Sequence, residues 1–205
     1  MIANFLIVLL MNITFAGNEV GNGGDAIICP KKAPVLLDFY ENRNAKLPYK
    51  IRKSEKTDEY EYLRDIWDKL SKTSPRFYKK YSADLMRFKN RVKLVSGESF
   101  RDVKDSFHIS VPKGCRIVQL AIQRKDAQSK ETVFYINKDI YEKMDAKQRA
   151  GLISHEIIYE HFRYFGQNHS VNVREFNRFL FSEKLVASGK EGFVKFIQEM
   201  GIPGY

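Results

Sequence analysis

The segment from Asp145 to Gly166, DAKQRAGLISHEIIYEHFRYFG, constrains the fold more than any other part of the chain. Asp145 with Gln148 three residues on resembles a capping box, and Gly166 supplies a stop, so the spacing predicts one helix over 145–165. On a helical wheel Leu152, Ile153, Ile157, Ile158, Tyr159, Phe162, Tyr164 and Phe165 cover nearly the whole circumference. A helix that is apolar almost all round has little surface to give to water, so it belongs at the centre of the molecule. Its polar gap is one stripe of alternating sign, Arg149, Glu156, Glu160 and Arg163. Such a stripe fits either a structural charge pairing or a partly buried acid–base pair.

The rest of the chain must wrap that helix. Val35 to Tyr40 is a short apolar run, a helix beginning after Pro34, and the polar, basic residues 41–53 read as a loop. Tyr60, Leu63, Trp67 and Leu70 recur at three and four residues, predicting an amphipathic helix over 57–70. Ser74-Pro75 is a helix start, and Phe77, Tyr81, Leu85, Phe88 and Val92 share a face of a second helix over 75–95. The period then changes to two: Phe107, Ile109 and Val111 alternate with His108 and Ser110, and residues 116–123 and 132–137 read as further strands. Ser170 starts a helix to about Leu185, and residues 190–200 give a last short one. Helices, a short antiparallel strand meander (about 106–137), then helices again define an α+β domain over 26–205.

Residues 2–16 carry no charge, and Phe5 to Met11 are continuously apolar. About 20 apolar residues are needed to cross a bilayer, so the run is read as a secretory signal peptide over 1–16, cleaved after Ala16. A glycine-rich leader over 17–25, GNEVGNGGD, follows; it is expected to be neither helix nor regular strand, either flexible or an anion nest with Asp25 beside it. Export places the chain in a periplasmic or secreted setting with no transmembrane anchor after cleavage. Cys29 and Cys115 are then natural disulfide partners, worth about 4 kcal/mol in the chain-entropy account.

The formal charge is +10, and no ionisable side chain precedes Glu19, so cleavage leaves it unchanged. Between Lys72 and Lys93 eight Lys or Arg face Asp84 alone, a local charge of +7. On a wheel Lys72, Arg76, Lys79, Lys80, Arg87 and Arg91 fall in one sector opposite the apolar set. That stripe suits an anionic envelope polymer or lipid surface, or else is only a solvated face. Nucleic acid is disfavoured, because no zinc finger, RNP-like aromatic motif or basic zipper accompanies the charge.

His155-Glu156 on an apolar helix after a strand meander is similar, over about eight residues, to the zincin metallopeptidase helix. HExxH chemistry needs two imidazoles one turn apart on zinc and a glutamate to activate water. Here Tyr159 stands at the second position, and His161 lies about 120° round the helix from His155. His155 is the one candidate metal ligand on this spacing, with His169, Asp25 or Glu160 as ligands only if the chain folds back. Zinc is the cofactor the motif suggests, and Tyr159 weakens it.

The GNGGD leader, Cys29, LLDFYE, Cys115, SHEIIYE and NHSVNVREF also resemble a group of uncharacterised exported bacterial proteins. The resemblance implies one constellation of Asp25, His155, Glu156, Tyr159, Ser170 and Arg174, either a site or a hydrogen-bonded core network. Two functions follow. One is an envelope-associated hydrolase with a divergent HExxH-like site, in which His155 is metal ligand or base, Glu156 acid/base and Tyr159 a stabiliser of negative charge. The other is a non-catalytic basic protein that contacts anionic envelope polymer, lipid or a protein partner.

Overall fold

The computed structural model describes residues 19–22 (as backbone), 24–97, 100, 109–167 and 169–202. The expected signal peptide and its cleavage point lie outside the described residues. The glycine-rich leader departs from expectation: Glu19–Asn22 is strand β1 and Asp25–Ile28 is strand β2. A ladder is built from main-chain N–H and C=O groups, which glycine supplies as well as any residue. The leader's chain therefore pairs despite its composition, with a register irregularity between Glu19 and Gly21.

Val35–Leu36 forms β3 and leads directly into α1, Leu37–Asn44, so the helix starts later than the apolar run VLLDFY. α2, Glu59–Thr73, is capped by Asp58, whose carboxylate accepts from Tyr60 and Glu61 N–H. α3, Pro75–Arg91, stops four residues short of the expected helix end; Val92–Val95 is instead strand β4. Its β-branched and apolar residues pair in parallel with a later strand, a tertiary demand that overrides the helical period running up to Val92.

The strand at 107–111 is not realised over Ile109 to Val111, and Phe107 and His108 lie outside the described residues. The single strand expected over 116–123 is broken at Leu120 into β5, Arg116–Gln119, and β6, Ala121–Lys125. β7 is Thr132–Asn137 and α4 is Lys138–Tyr141. α5, Ala146–Tyr164, matches the expected central helix, and Gln148 N–H donates to the Asp145 carboxylate at 2.8 Å. Only half of the capping box forms, because the Gln148 side chain accepts from Leu36 N–H (2.8 Å) instead of turning back. α6, Val171–Leu180, and α7, Glu183–Glu199, complete the chain, with Gly189 at φ 59° breaking α7 internally. Ser170 precedes α6 but makes no side-chain cap.

The architecture is α+β. One sheet runs β1-β6-β7-β4, antiparallel except for the parallel β7/β4 pair, and the other runs β3-β2-β5. β1 runs antiparallel along β6 in one sheet and β2 antiparallel along β5 in the other, so the pairing of these neighbouring strands changes sheets between them. At the crossing, Gly24 C=O accepts from both Leu120 N–H (3.0 Å) and Ala121 N–H (3.1 Å). The Cys29–Cys115 disulfide closes the far end of the β2/β5 ladder, next to the Ile28/Arg116 pair. Among the described residues no helix is long and apolar enough to cross a membrane.

The helices enclose α5. α2 packs on α3, α5 and α7, while α6 and β3 close other sides of α5. Aromatic rings fill the layer between α3, α5, α6 and α7, with Phe162 stacked on Phe176 (5.8 Å) and Phe179 on Phe196 (3.9 Å). Gly151 lets β3 and α1 press against α5: a Cβ there would lie 2.5 Å from Phe39 Cε2 and 2.9 Å from Leu36 Cδ2. Gly151→Ala should therefore lower unfolding free energy by about 1–3 kcal/mol, read by urea denaturation. A change within about 0.5 kcal/mol would show that the α1/α5 contact is looser than described.

Candidate functional site

α5 carries two fully buried ionisable neighbours that point into different contacts. Glu156, 0% exposed, accepts from Gly24 N–H at 2.6 Å through Oε1 and from Gln123 Nε2 at 3.0 Å through Oε2. Gln123 Nε2 also donates to the Glu156 main-chain carbonyl (2.9 Å), and Arg163 donates to Gln123 Oε1 (3.3 Å). The carboxylate thus holds the turning point of the β1–β2 strand rather than an arginine. A Cβ on Gly24 would lie 2.5 Å from Leu152 Cδ1, so a larger residue here would have to displace the end of that leucine side chain.

His155, also 0% exposed, places Nδ1 3.0 and 3.2 Å from the two oxygens of Asp38, itself buried in the first turn of α1. A carboxylate only accepts, so Nδ1 carries the proton. Asn177 of α6 donates to Asp38 at 2.7 Å and to Gly151 C=O at 2.9 Å. His155 Nε2 has no hydrogen-bond partner among the described residues. Arg174 donates to Ser170 Oγ and, through Nε, to Glu41 (3.1 Å). It also acts electrostatically on both Asp38 and His155.

The expected constellation is therefore partly assembled. His155 is bonded to Asp38, Ser170 and Arg174 are bonded to each other and Arg174 to half-buried Glu41, and Arg174 couples the two sets electrostatically; the Tyr159 ring lies 6.2 Å from His155. Glu156 and Gly24 form its other arm, with Asp25 buried one residue further along β2. Asp38, Glu41, Gln123 and Asn177 were missed; the legible hint was an acid inside the apolar run VLLDFY, which must be buried with a partner. Among the described residues no group of three or more His, Cys, Asp or Glu is arranged to hold a metal ion. The residues do not fit the zincin expectation. His161 joins the aromatic layer, its Nδ1 2.9 Å from Tyr81 Oη, and His169 is exposed.

The basic stripe is also rearranged. Lys72 lies on α2, not α3. Asp84 is buried and binds Lys80 (2.7 Å) and Arg87, while Arg91 grips Glu160 with two bonds of 2.7 and 2.9 Å. Lys72, Arg76, Lys79, Lys80 and Arg87 remain exposed. Beside them opens a cavity of about 510 Å³ between α3, the end of α5 and the β6/β7 hairpin. Arg76, Lys80, Arg87, Arg91 and Lys125 supply its cations, against the carboxylates of Asp84, Glu131 and Glu160; Phe77, His161, Tyr164 and Phe165 supply its apolar wall.

The fold and its sites define a disulfide-bonded α+β protein with a sealed acid–base network on its central helix and a cationic cavity at its surface. No family model, curated protein or solved structure matches the chain.

The network is poised electrostatically. Burial drives the Glu156 carboxyl above its usual 4.5, outweighing His155, Gln123 and the Gly24 N–H. Burial pushes His155 down, but Asp38 outweighs it and the imidazole sits above 6.5. Asp38 is pushed up by burial and held below 3.8 by His155 and Asn177. The Glu156 and His155 contributions are full below the usual values of 4.5 and 6.5 respectively, and each is lost as pH rises through the raised folded value. Asp38 contributes above 3.8 and loses that contribution as pH falls through its lowered value. His161, pushed down to about 4 by burial and Lys80, favours folding above 6.5 and loses this as pH falls. Glu156→Gln removes the first of these and, because the Glu156 charge also helps raise His155, weakens the second in the same direction. Its destabilisation relative to the native chain should be largest near pH 4.5 and shrink as pH rises through the raised folded value, read by denaturant melts. A difference independent of pH would mean that Glu156 titrates like a solvated carboxyl.

Proposed function

We propose that the chain is an exported, non-catalytic basic protein that binds an anionic lipid surface of the cell envelope through the outer face of α3. The observation that carries this reading is a contrast in access. His155 and Glu156 are wholly enclosed, whereas Arg76, Lys79, Lys80 and Arg87 stand exposed along α3, and Lys72 stands exposed in the last turn of α2 just before it. Tyr164 and Phe165, 84% and 47% exposed at the end of α5, line one cavity with Arg76, Lys80 and Arg87. Rings beside cations favour a lipid headgroup region over a fully hydrophilic polymer. The disulfide is the kind of bond that persists outside the reducing cytosol.

The hydrolase reading keeps one observation in its favour, the buried His155 Nε2 with no partner beside an Asp38-oriented ring. It requires substrate to enter between the Gly24 turn and α5, where Glu156 already spends both oxygens.

The chain should co-sediment with phosphatidylglycerol-containing vesicles and not with phosphatidylcholine alone. Binding should weaken about tenfold or more from about 0.1 M to about 1 M salt, as the Debye length contracts from about 10 to about 3 Å. Lys72→Glu with Lys79→Glu should weaken it comparably without loss of fold. Equal binding to neutral vesicles, or a salt-independent association, contradicts the reading; retention on anionic polymer alone transfers the surface to a different partner.

A further inference from the structure

The cavity beside α3 is built differently from the flat cationic face around it. Its volume, about 510 Å³, falls in the range that holds a small molecule rather than a bilayer patch. The cations at its mouth are held in place from within. Asp84, buried beneath them, holds Lys80 from the turn before it and Arg87 from the turn after it, and Glu160 fixes Arg91 by two parallel bonds. Lys125 is steadied from the opposite wall by Thr132 Oγ1 at 3.1 Å. Arg76, on the same rim, has no carboxylate partner among the described residues. An anion entering here would meet donors already oriented, and Arg76 is available for a new charge-assisted bond.

The other wall is apolar and partly exposed. Phe77 is buried, and His161 lies 5.9 Å from it and 5.5 Å from Phe165. Tyr164 packs edge-on to Phe165 at 5.1 Å while leaving most of its own surface in water. Burial and the Lys80 cation keep His161 uncharged at neutral pH, so it joins the apolar wall instead of adding a cation. A purely hydrophilic polyanion would leave these rings wet, and an uncharged hydrocarbon would strip water from the rim cations without compensation.

We propose that this cavity binds one molecule of a single-chain anionic amphiphile, its phosphate or carboxylate head at the Arg76–Lys80–Arg87–Lys125 rim and its chain against Phe77, Tyr164 and Phe165. The proposal deepens the lipid-surface reading and rests on it for the source of the ligand: a monomer drawn from the bilayer that α3 touches.

Calorimetric titration of the full chain tests it with three probes below their aggregation concentrations: dodecyl phosphate, inorganic phosphate and dodecyl maltoside. Dodecyl phosphate should bind saturably with one molecule per chain, at least about tenfold tighter than either other probe. Tyr164→Ser and Lys125→Glu, both at exposed side chains, should each weaken it about fivefold or more while the far-ultraviolet spectrum and melting temperature stay near those of the native chain. Inorganic phosphate binding as tightly as dodecyl phosphate would reduce the site to an anion site and overturn the proposal. Equal affinity for dodecyl maltoside would overturn it in the other direction, as would native affinity in both variants. Vesicle association that survives such a failure leaves the α3 surface reading standing. Tight dodecyl phosphate binding by a chain that ignores vesicles would keep the cavity and retire the bilayer as its source.

Discussion

A carboxylate inside a protein must find donors, and at Glu156 the nearest are the N–H of Gly24 and the side-chain amide of Gln123. This one requirement shapes much of the molecule. Gly24 sits between β1 and β2, at the point where their pairing passes from β6 in one sheet to β5 in the other, and Gln123 lies on β6 opposite Gly21. Pinning both to α5 fixes the angle between the sheets and the height at which they meet the helix. The cost of enclosing Glu156 shows as a carboxyl that holds its proton more tightly than in water. A missing donor at either position would leave a buried oxygen unsatisfied, which costs about 1–3 kcal/mol or more for a charged group.

The neighbouring residue repeats the arrangement on another side of the helix. His155, Asp38 and Asn177 tie α5 to α1 and α6, and Asn177 also satisfies the Gly151 carbonyl where α1 presses closest. Arg174 carries the network outward to Ser170 and Glu41. The polar residues that read as chemistry in the motif SHEIIYE therefore join the leader strand and two flanking helices to the centre. The chemistry that faces solvent lies about α3, where acidic residues beneath the surface set the positions of cations above it.

The sequence was most legible where one residue's period decides its fate. α5 and its Asp145 cap, the faces of α2 and α3, and the strand at 132–137 all follow from local spacing. It was least legible where main chain meets main chain. Nothing in GNEVGNGGD signals pairing with β6 and β5, because the ladder is made by groups every residue shares. The break at Leu120 is equally silent, since it is set by Gly24 C=O accepting from two successive amides. The wheel placed Lys72 with the α3 cations although Ser74 and Pro75 interrupt the helix between them. The partners of His155 and Glu156 are hidden for a related reason: Asp38 and Gln123 are 117 and 33 residues away, and although an acid in VLLDFY calls for a buried partner, no local spacing says which residue it is.

The central claim is that the Glu156–Gly24 contact is sealed architecture. Native-state hydrogen exchange of the Gly24 amide, followed by nuclear magnetic resonance, tests it most directly. The amide should exchange only through global unfolding, with a free energy of opening equal to that of the whole protein. Exchange at the rate of an exposed loop amide, while the α5 amides remain protected, would show that the strand lifts away from Glu156 in the native state, and the acid–base pair would then be open to solvent chemistry.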